Sequence, residues 1–283
     1  MPVDPSQALG AMLPEGGNSY NVDNVILYHL GVGAGNPPTD PGELRYSYEK
    51  DLKVLPSFAV CAAFGAMGGL DKVPGLSFDF MMLLHGEQEV IVHRPLPPSA
   101  ELKTQAKIAE IWDKGKAALV VLEAVSSDSE GPLFTNRFSL FLRGEGGFGG
   151  ESGPKAGNKP PDRAPDGVVE VPTLPQQALI YRLSGDKNPL HADPEFAAMA
   201  GFDKPIIHGL CSYGVVCKAI VDNALDGDTE KVAGYRARFA GVGFPGETYV
   251  VSYWKEGDKI LLEAKSKERD AIIISNAAVT VRS

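Results

Sequence analysis

Tyr181-Arg182-Leu183-Ser184-Gly185-Asp186-Lys187-Asn188-Pro189-Leu190-His191 has a weaker echo early in the same chain, where a second tyrosine-led loop carries Gly33-Ala34-Gly35-Asn36-Pro37. Laid over each other, Gly33–Pro37 falls on Gly185–Pro189, and the same offset carries Lys53-Val54-Leu55-Pro56-Ser57 onto Pro205-Ile206-Ile207-His208-Gly209. Farther on, Trp112-Asp113-Lys114-Gly115-Lys116 resembles Trp254-Lys255-Glu256-Gly257-Asp258-Lys259 with one residue inserted. Likeness that recurs at one offset is the mark of a tandem duplication. The copies differ where titratable groups stand: Ala34 and Thr39 occupy the places of Asp186 and His191, so the first copy has no matching acid and base.

Working outward, each half repeats one order of elements: the loop, an apolar helix-like segment, then strands. In the second half Ile206–Asp222 is apolar almost all round, as a buried helix is. Thr248–Trp254, Lys259–Ser266 and Ala271–Arg282 read as strands by alternation and by their Val, Ile and aromatic content. The first half predicts a helix over Pro56–Met67 and strands over Glu87–His93, Leu102–Trp112, Ala117–Ser126 and Leu133–Leu142. Between the halves, residues 144–167 are dense in Gly and Pro and read as a linker. The expected organisation is a first domain over 1–143, that linker, and a second domain over 168–283. The Gly-rich opening of the linker lacks a Gly-Lys-Ser/Thr and a following helix, so it is not read as a phosphate loop.

The 283 residues allow one large or two ordinary domains. A content of 43% hydrophobic and 22% charged residues, with no long apolar run, gives no membrane span. A net charge of −9 argues against a nucleic-acid surface, which needs a clustered positive field. It leaves room for a local basic pocket, for which Lys114, Lys116, Arg236 and Arg238 are candidates beside their plainer reading as solvated charges. Three scattered cysteines, Cys61, Cys211 and Cys217, indicate neither a disulfide framework nor a zinc knot and suit a reducing compartment. The start Met1-Pro2-Val3-Asp4-Pro5 does not read as a secretory signal, and Val281-Arg282-Ser283 is not a peroxisomal address.

In the second loop, Pro189 restricts Asn188 to an extended backbone, and Gly185 allows a tight turn, so Asp186 and His191 can be aimed at one point. A carboxylate and an imidazole facing one water share proton donation and acceptance near neutral pH. The plainer reading is also open: Asp186 caps the loop, Asn188 makes an Asx-turn, and His191 is a satisfied polar residue. Asp193-Pro194-Glu195 reads as a helix start. His208-Gly209 stands at the head of the buried helix, where free N–H groups and the helix dipole suit a developing oxyanion. His208 itself reads as a capping or core residue.

At this point a family resemblance enters. Tyr181–His191, with Ala200-Gly201-Phe202-Asp203-Lys204-Pro205-Ile206-Ile207-His208-Gly209-Leu210, resembles the signature of hydratase 2 and MaoC-like dehydratases. The likeness extends through Leu83-Leu84-His85-Gly86-Glu87-Gln88, Trp112-Asp113-Lys114-Gly115, Phe138-Ser139-Leu140-Phe141-Leu142 and Arg238-Phe239, and so over nearly the whole chain. It implies an α+β, double hot-dog fold: two antiparallel sheets, each wrapped around a long helix, arranged as a pseudo-dimer. It further implies reversible hydration of trans-2-enoyl-CoA to (3R)-3-hydroxyacyl-CoA in β-oxidation, with no metal or redox cofactor and coenzyme A entering as part of the substrate.

On the matching positions, Asp186 and His191 would be the catalytic pair, Asn188 would orient the pair or the substrate, and the Gly209 N–H would hold the thioester oxygen. His85, Gly86, Lys114, Lys187, Pro189, Leu190 and Phe239 fall on substrate contacts. The first half, freed from catalysis, would accommodate the acyl chain, and the small residues of Phe58–Leu70 suit that. The resemblance also implies a homodimer, in the cytoplasm or, in an excised or eukaryotic form, in the peroxisome. A biosynthetic 3-hydroxyacyl-thioester dehydratase, a noncatalytic acyl-CoA-binding protein and a thioester hydrolase are the competing readings.

Overall fold

The computed structural model describes residues 3–282; Met1, Pro2 and Ser283, which figure in the readings of the two ends, lie outside the described residues. Ten strands are formed: β1 (Gly16–Tyr20), β2 (Leu83–Val92), β3 (Ala100–Asp113), β4 (Ala117–Asp128), β5 (Gly131–Arg143), β6 (Gly167–Pro172), β7 (Val232–Phe239), β8 (Thr248–Glu256), β9 (Lys259–Ser266) and β10 (Ala271–Val281). Helices α1 (Pro5–Ala8), α2 (Val22–Gly31), α3 (Pro41–Ser47), α4 (Ala59–Ala62), α5 (Gln177–Tyr181), α6 (Pro194–Met199) and α7 (Gly209–Ala224) complete the frame.

All ten strands join in one antiparallel sheet of order β1-β3-β4-β5-β2-β7-β10-β9-β8-β6. The first half contributes 1-3-4-5-2, and the second, read from its outer edge, 6-8-9-10-7; the duplication therefore survives as one strand order used twice. The two five-stranded sheets of this α+β double hot-dog fold meet edge to edge at β2 and β7, with Glu87 opposite Arg238 and Glu89 opposite Arg236. Strand β9 shows the pattern that builds the layer: Ile260, Leu262, Ala264 and Ser266 face the core while the residues between them do not. β1, β6 and β7 were not among the expected strands: β1 opens on two glycines, β6 lies at the end of the linker, and β7 interrupts its pattern with Gly234 and two arginines.

The helices of the two halves differ. In the second half α7 runs for sixteen residues, eleven of them buried, and forms the hydrophobic centre of its sheet. It begins three residues later than expected, because the residues ahead of it bond sideways: the Ile207 N–H donates to Gly243 O at 2.8 Å. The long helix expected in the first half over Pro56–Met67 does not form. That stretch is a 3-10 turn at Pro56–Phe58, the single turn α4, and a further 3-10 turn at Phe64–Met67. Gly65, Gly68 and Gly69 follow in quick succession, Gly69 at φ 87°, and glycine costs a helix about 1 kcal/mol per residue relative to alanine.

The segment between the halves is laid against the sheet. Asp113 accepts the N–H groups of Gly147 and Gly149 at 2.9 and 2.8 Å, Asn276 donates to Gly157 O at 3.0 Å, and Arg163 pairs with Glu256 at 2.8 Å. α2 lies against α5, where Gly31 lets the backbones approach closely: a Cβ on Gly31 would sit 3.0 Å from the Tyr181 Cα, while on α7 Gly214 makes room for the side chains of Tyr28 and Val32.

Candidate active site

The loop from Tyr181 to His191 is held from both ends. Tyr181, the last residue of α5, is buried against Tyr28 of the first half. Gly185 turns the chain at φ 133°, a conformation side chains disfavour. The Asp186 carboxylate accepts the Asn188 N–H at 3.1 Å, and Asn188 Oδ1 in turn accepts the Leu190 N–H at 3.0 Å. The reading of Asp186 as a loop cap and of Asn188 as an Asx-turn thus describes the backbone bonds of this loop, which also shape the segment carrying Asp186 and His191. Asp193 caps α6 through the N–H groups of Glu195 and Phe196, with Pro194 first in the helix.

His191 is buried, and its Nδ1–H donates to the Ile206 carbonyl at 2.9 Å. That bond fixes the tautomer, leaving the Nε2 lone pair free as a proton acceptor. Burial is the main cause that lowers its pKa from the ordinary imidazole value, opposed by the bond to Ile206 and the nearby Asp186 charge. The ring therefore stays neutral at physiological pH.

Stacked on it, 3.7 Å between ring centres, lies His208. The Nε2–H of His208 donates to the Asp186 backbone carbonyl at 3.1 Å, while its Nδ1 is buried without a partner. Burial, with the neighbouring His191, lowers the His208 pKa to about 4. One ligand-type atom each from Asp186, His191 and His208 lies within 4.8 Å of the others. His208 was read from sequence as a cap or core residue. The core reading holds, since the ring is buried; it makes no side-chain cap for α7 and backs the imidazole of His191. The signal was present in the repeat, where the first copy carries Pro56.

Gly209 follows at the head of α7, exposed, and a Cβ there would meet the Phe239 ring at 3.2 Å. Phe239 also stands edge-on to His85, 5.1 Å between centres. His85 donates Nε2–H to Glu87 O at 3.1 Å, and Gly86 lies in the irregularity that shifts β2 against β5. Burial pushes the His85 pKa down to about 4. Asp186, Asn188, His191, Gly209, Phe239, His85 and Gly86 thus form one neighbourhood. Lys187 and Pro189 are exposed on the loop, and Leu190 is half-buried beneath it.

Lys114 lies apart from them. Its ammonium donates to the Ser152 carbonyl, and it shares a cup of about 150 Å³ with Glu87, Trp112, Arg236 and Arg238. Beside Gly185 a second cavity, about 220 Å³, is lined by Leu27, Phe58, Cys61, Ala62 and Leu183, with Asn18, Ser19 and Asn24 also on its walls. In the first copy Ala34 is buried and Thr39 exposed.

Residues 18–144 match the family described as the MFE-2 hydratase 2 N-terminal domain, and residues 156–277 match the MaoC like domain. A Mycobacterium tuberculosis protein named enoyl-CoA hydratase ChsH3 is 48% identical over 97% of this chain and 98% of its own length. Mouse peroxisomal multifunctional enzyme type 2 is 43% identical over 96% of this chain, which spans only 38% of that protein. A relative named 3-hydroxyacyl-thioester dehydratase Y, also from Mycobacterium tuberculosis, is 42% identical over 90% of this chain and 88% of its own length. The crystal structure of a MaoC-like dehydratase from Phytophthora capsici superposes with a TM-score of 0.89 at 33% identity, covering 99% of both chains. The chain therefore belongs to the hydratase 2 family of MaoC-like enzymes, hydro-lyases built on the double hot-dog fold.

Proposed function

We propose that the chain hydrates trans-2-enoyl-CoA to (3R)-3-hydroxyacyl-CoA in β-oxidation, with Asp186 and His191 as the catalytic pair. The observation that carries this reading is the convergence of Asp186 and His191, backed by His208, beside the free end of α7 at Gly209. A water held between carboxylate and imidazole loses a proton to His191 Nε2 as its oxygen adds to C3. The enolate that forms places negative charge on the thioester oxygen, where the Gly209 N–H and the α7 dipole stabilise it. The proton taken by His191 passes to the Asp186 carboxylate, which delivers it to C2 on the same face and is left ionised as it began. The two groups act as a coupled pair, and either direction of the reaction uses the same transfers. Asn188 serves by fixing the loop.

His85, Gly86 and Phe239 border the thioester, Lys187, Pro189 and Leu190 flank it from the loop, and Lys114 meets the phosphate-bearing end of coenzyme A. The acyl chain runs toward the cavity beside Gly185, whose Phe58, Cys61 and Ala62 come from the stretch that fails to make a helix. On this reading the half 1–143 accommodates substrate, 144–167 connects, and 168–283 catalyses. The chain works as a homodimer without metal or redox cofactor, coenzyme A being part of the substrate. No helix among the described residues is long and apolar enough to cross a membrane. We place the enzyme in the cytoplasm, the peroxisome being the alternative that the mouse relative's name raises. The dehydratase relative keeps a second reading open, the same chemistry run toward the enoyl thioester in synthesis.

The test is hydration followed by loss of the conjugated thioester absorbance. Asp186→Asn and His191→Ala are each expected to lower turnover by a factor on the order of 10² to 10⁴. Full activity in both variants would overturn the assignment. Comparing coenzyme A and carrier-protein thioesters separates the two readings of direction and pathway.

A further inference from the structure

Arg182 opens the active loop, directly after the buried Tyr181. Its Nη2 donates to the carbonyl of Lys187 at 3.1 Å, so the guanidinium spans the loop from its base to the Lys187–Asn188 peptide. Its Nε is buried and has no hydrogen-bond partner. Among the described residues no carboxylate pairs with it. A cation held this way, with one donor stranded, costs stability. The first copy carries His29 after its own Tyr28, and that imidazole is spent on structure, bonded to Tyr46 O at 2.7 Å and to the Leu55 N–H at 3.1 Å.

We propose that Arg182 is a positioning residue for the Asp186–His191 pair: it ties the loop across its base and supplies a fixed positive charge beside the two stacked imidazoles. This rests on the reading of that pair as catalytic. His208 is stacked on His191 from the head of α7 and Tyr181 stands behind His208, while the charges of Asp186 and Arg182 act on His191 and that of Asp186 acts also on Cys61 and His85. Arg182 acts on both imidazoles in one direction, against the protonated form, whereas Asp186 acts in the other. The guanidinium adds a smaller push to that of burial, the main cause, in keeping the His191 Nε2 lone pair although a negative charge stands next to it.

The experiment is the pH profile of kcat/KM with a short trans-2-enoyl-CoA for the wild-type chain, Arg182→Gln and Arg182→Lys. Turnover by the wild type is measured first; its absence would sink the hydratase reading, and the inference with it, at that stage. Arg182→Gln is expected to lower kcat/KM at pH 7 by a factor on the order of 100, as for a misplaced catalytic group, and to move the acid limb to higher pH. Arg182→Lys is expected to lose kcat while the limb stays at its wild-type position, because the charge is kept and the span is not. An acid limb unmoved in Arg182→Gln would overturn the proposal. Should that variant fail to fold, Arg182→Lys decides alone: a limb at the wild-type pH with reduced kcat supports it, and a displaced limb or wild-type kcat overturns it.

Discussion

At the scale of single residues, the active loop shows how one set of backbone bonds serves two purposes. The Asx-turns at Asp186 and Asn188 are ordinary loop chemistry, and a sequence reading has no means of separating them from a catalytic arrangement. What separates them is the partner set of His191, whose Nδ1 is committed to Ile206, a residue fifteen positions away. That contact comes from the residues ahead of α7, which no local pattern announces; Asp186, His191 and Gly209 were named from motif and repeat, whereas the stacking of His208 on His191, at a position where the copies differ, was not. Two outcomes belong here. Thr39→Ala is expected to leave turnover near the wild-type value, since Thr39 is exposed in the silent copy; a loss as large as that of His191→Ala would show the first copy to be catalytic. Gly209→Ala keeps the N–H donor but sets a methyl 3.2 Å from the Phe239 ring, so kcat/KM is expected to fall by roughly tenfold with little change in melting temperature. Unchanged kinetics would remove Gly209 from the site.

Among the elements, most strands were legible because their alternation is strong: β9 runs over Lys259–Ser266 as read, and the others differ by a few residues at their ends. The failures have causes. β1 and β7 carry glycines that blur the period, and the Pro56–Met67 run was apolar enough for a helix while the glycines beginning at Gly65 broke it. α7 holds a glycine for the opposite reason. A Cβ on Gly214 would lie 2.5 Å from both Tyr28 Oη and Val32 Cγ1, so this position is where the second half's helix closes on α2. Helix propensity alone favours Gly214→Ala by about 1 kcal/mol, but overpacking typically costs about 1 to 3 kcal/mol. A net destabilisation is expected, read as a lower urea midpoint. A midpoint at or above the wild type would mean that the halves pack less closely there.

For the molecule as a whole, the duplicated strand order joins two halves into one sheet, and the buried imidazoles set how it responds to acid. His29, His85 and His208 each have a pKa pushed by burial to about 4, against an unfolded value near 6.5. Between those values the unfolded chain binds protons that the folded chain excludes, so stability falls as pH drops from about 6.5 toward 4. For His29 alone the loss approaches about 3 kcal/mol at the lower end of that window. A urea midpoint lower at pH 5 than at pH 7.5 is expected, and an equal or higher one would contradict the burial of these rings. The central claim, one (3R)-forming hydratase site per chain at Asp186 and His191, meets its most direct test in chiral analysis of the product formed from trans-2-enoyl-CoA. The account expects (3R)-3-hydroxyacyl-CoA, abolished in His191→Ala; an (S) product, or none from the wild-type chain, would contradict it.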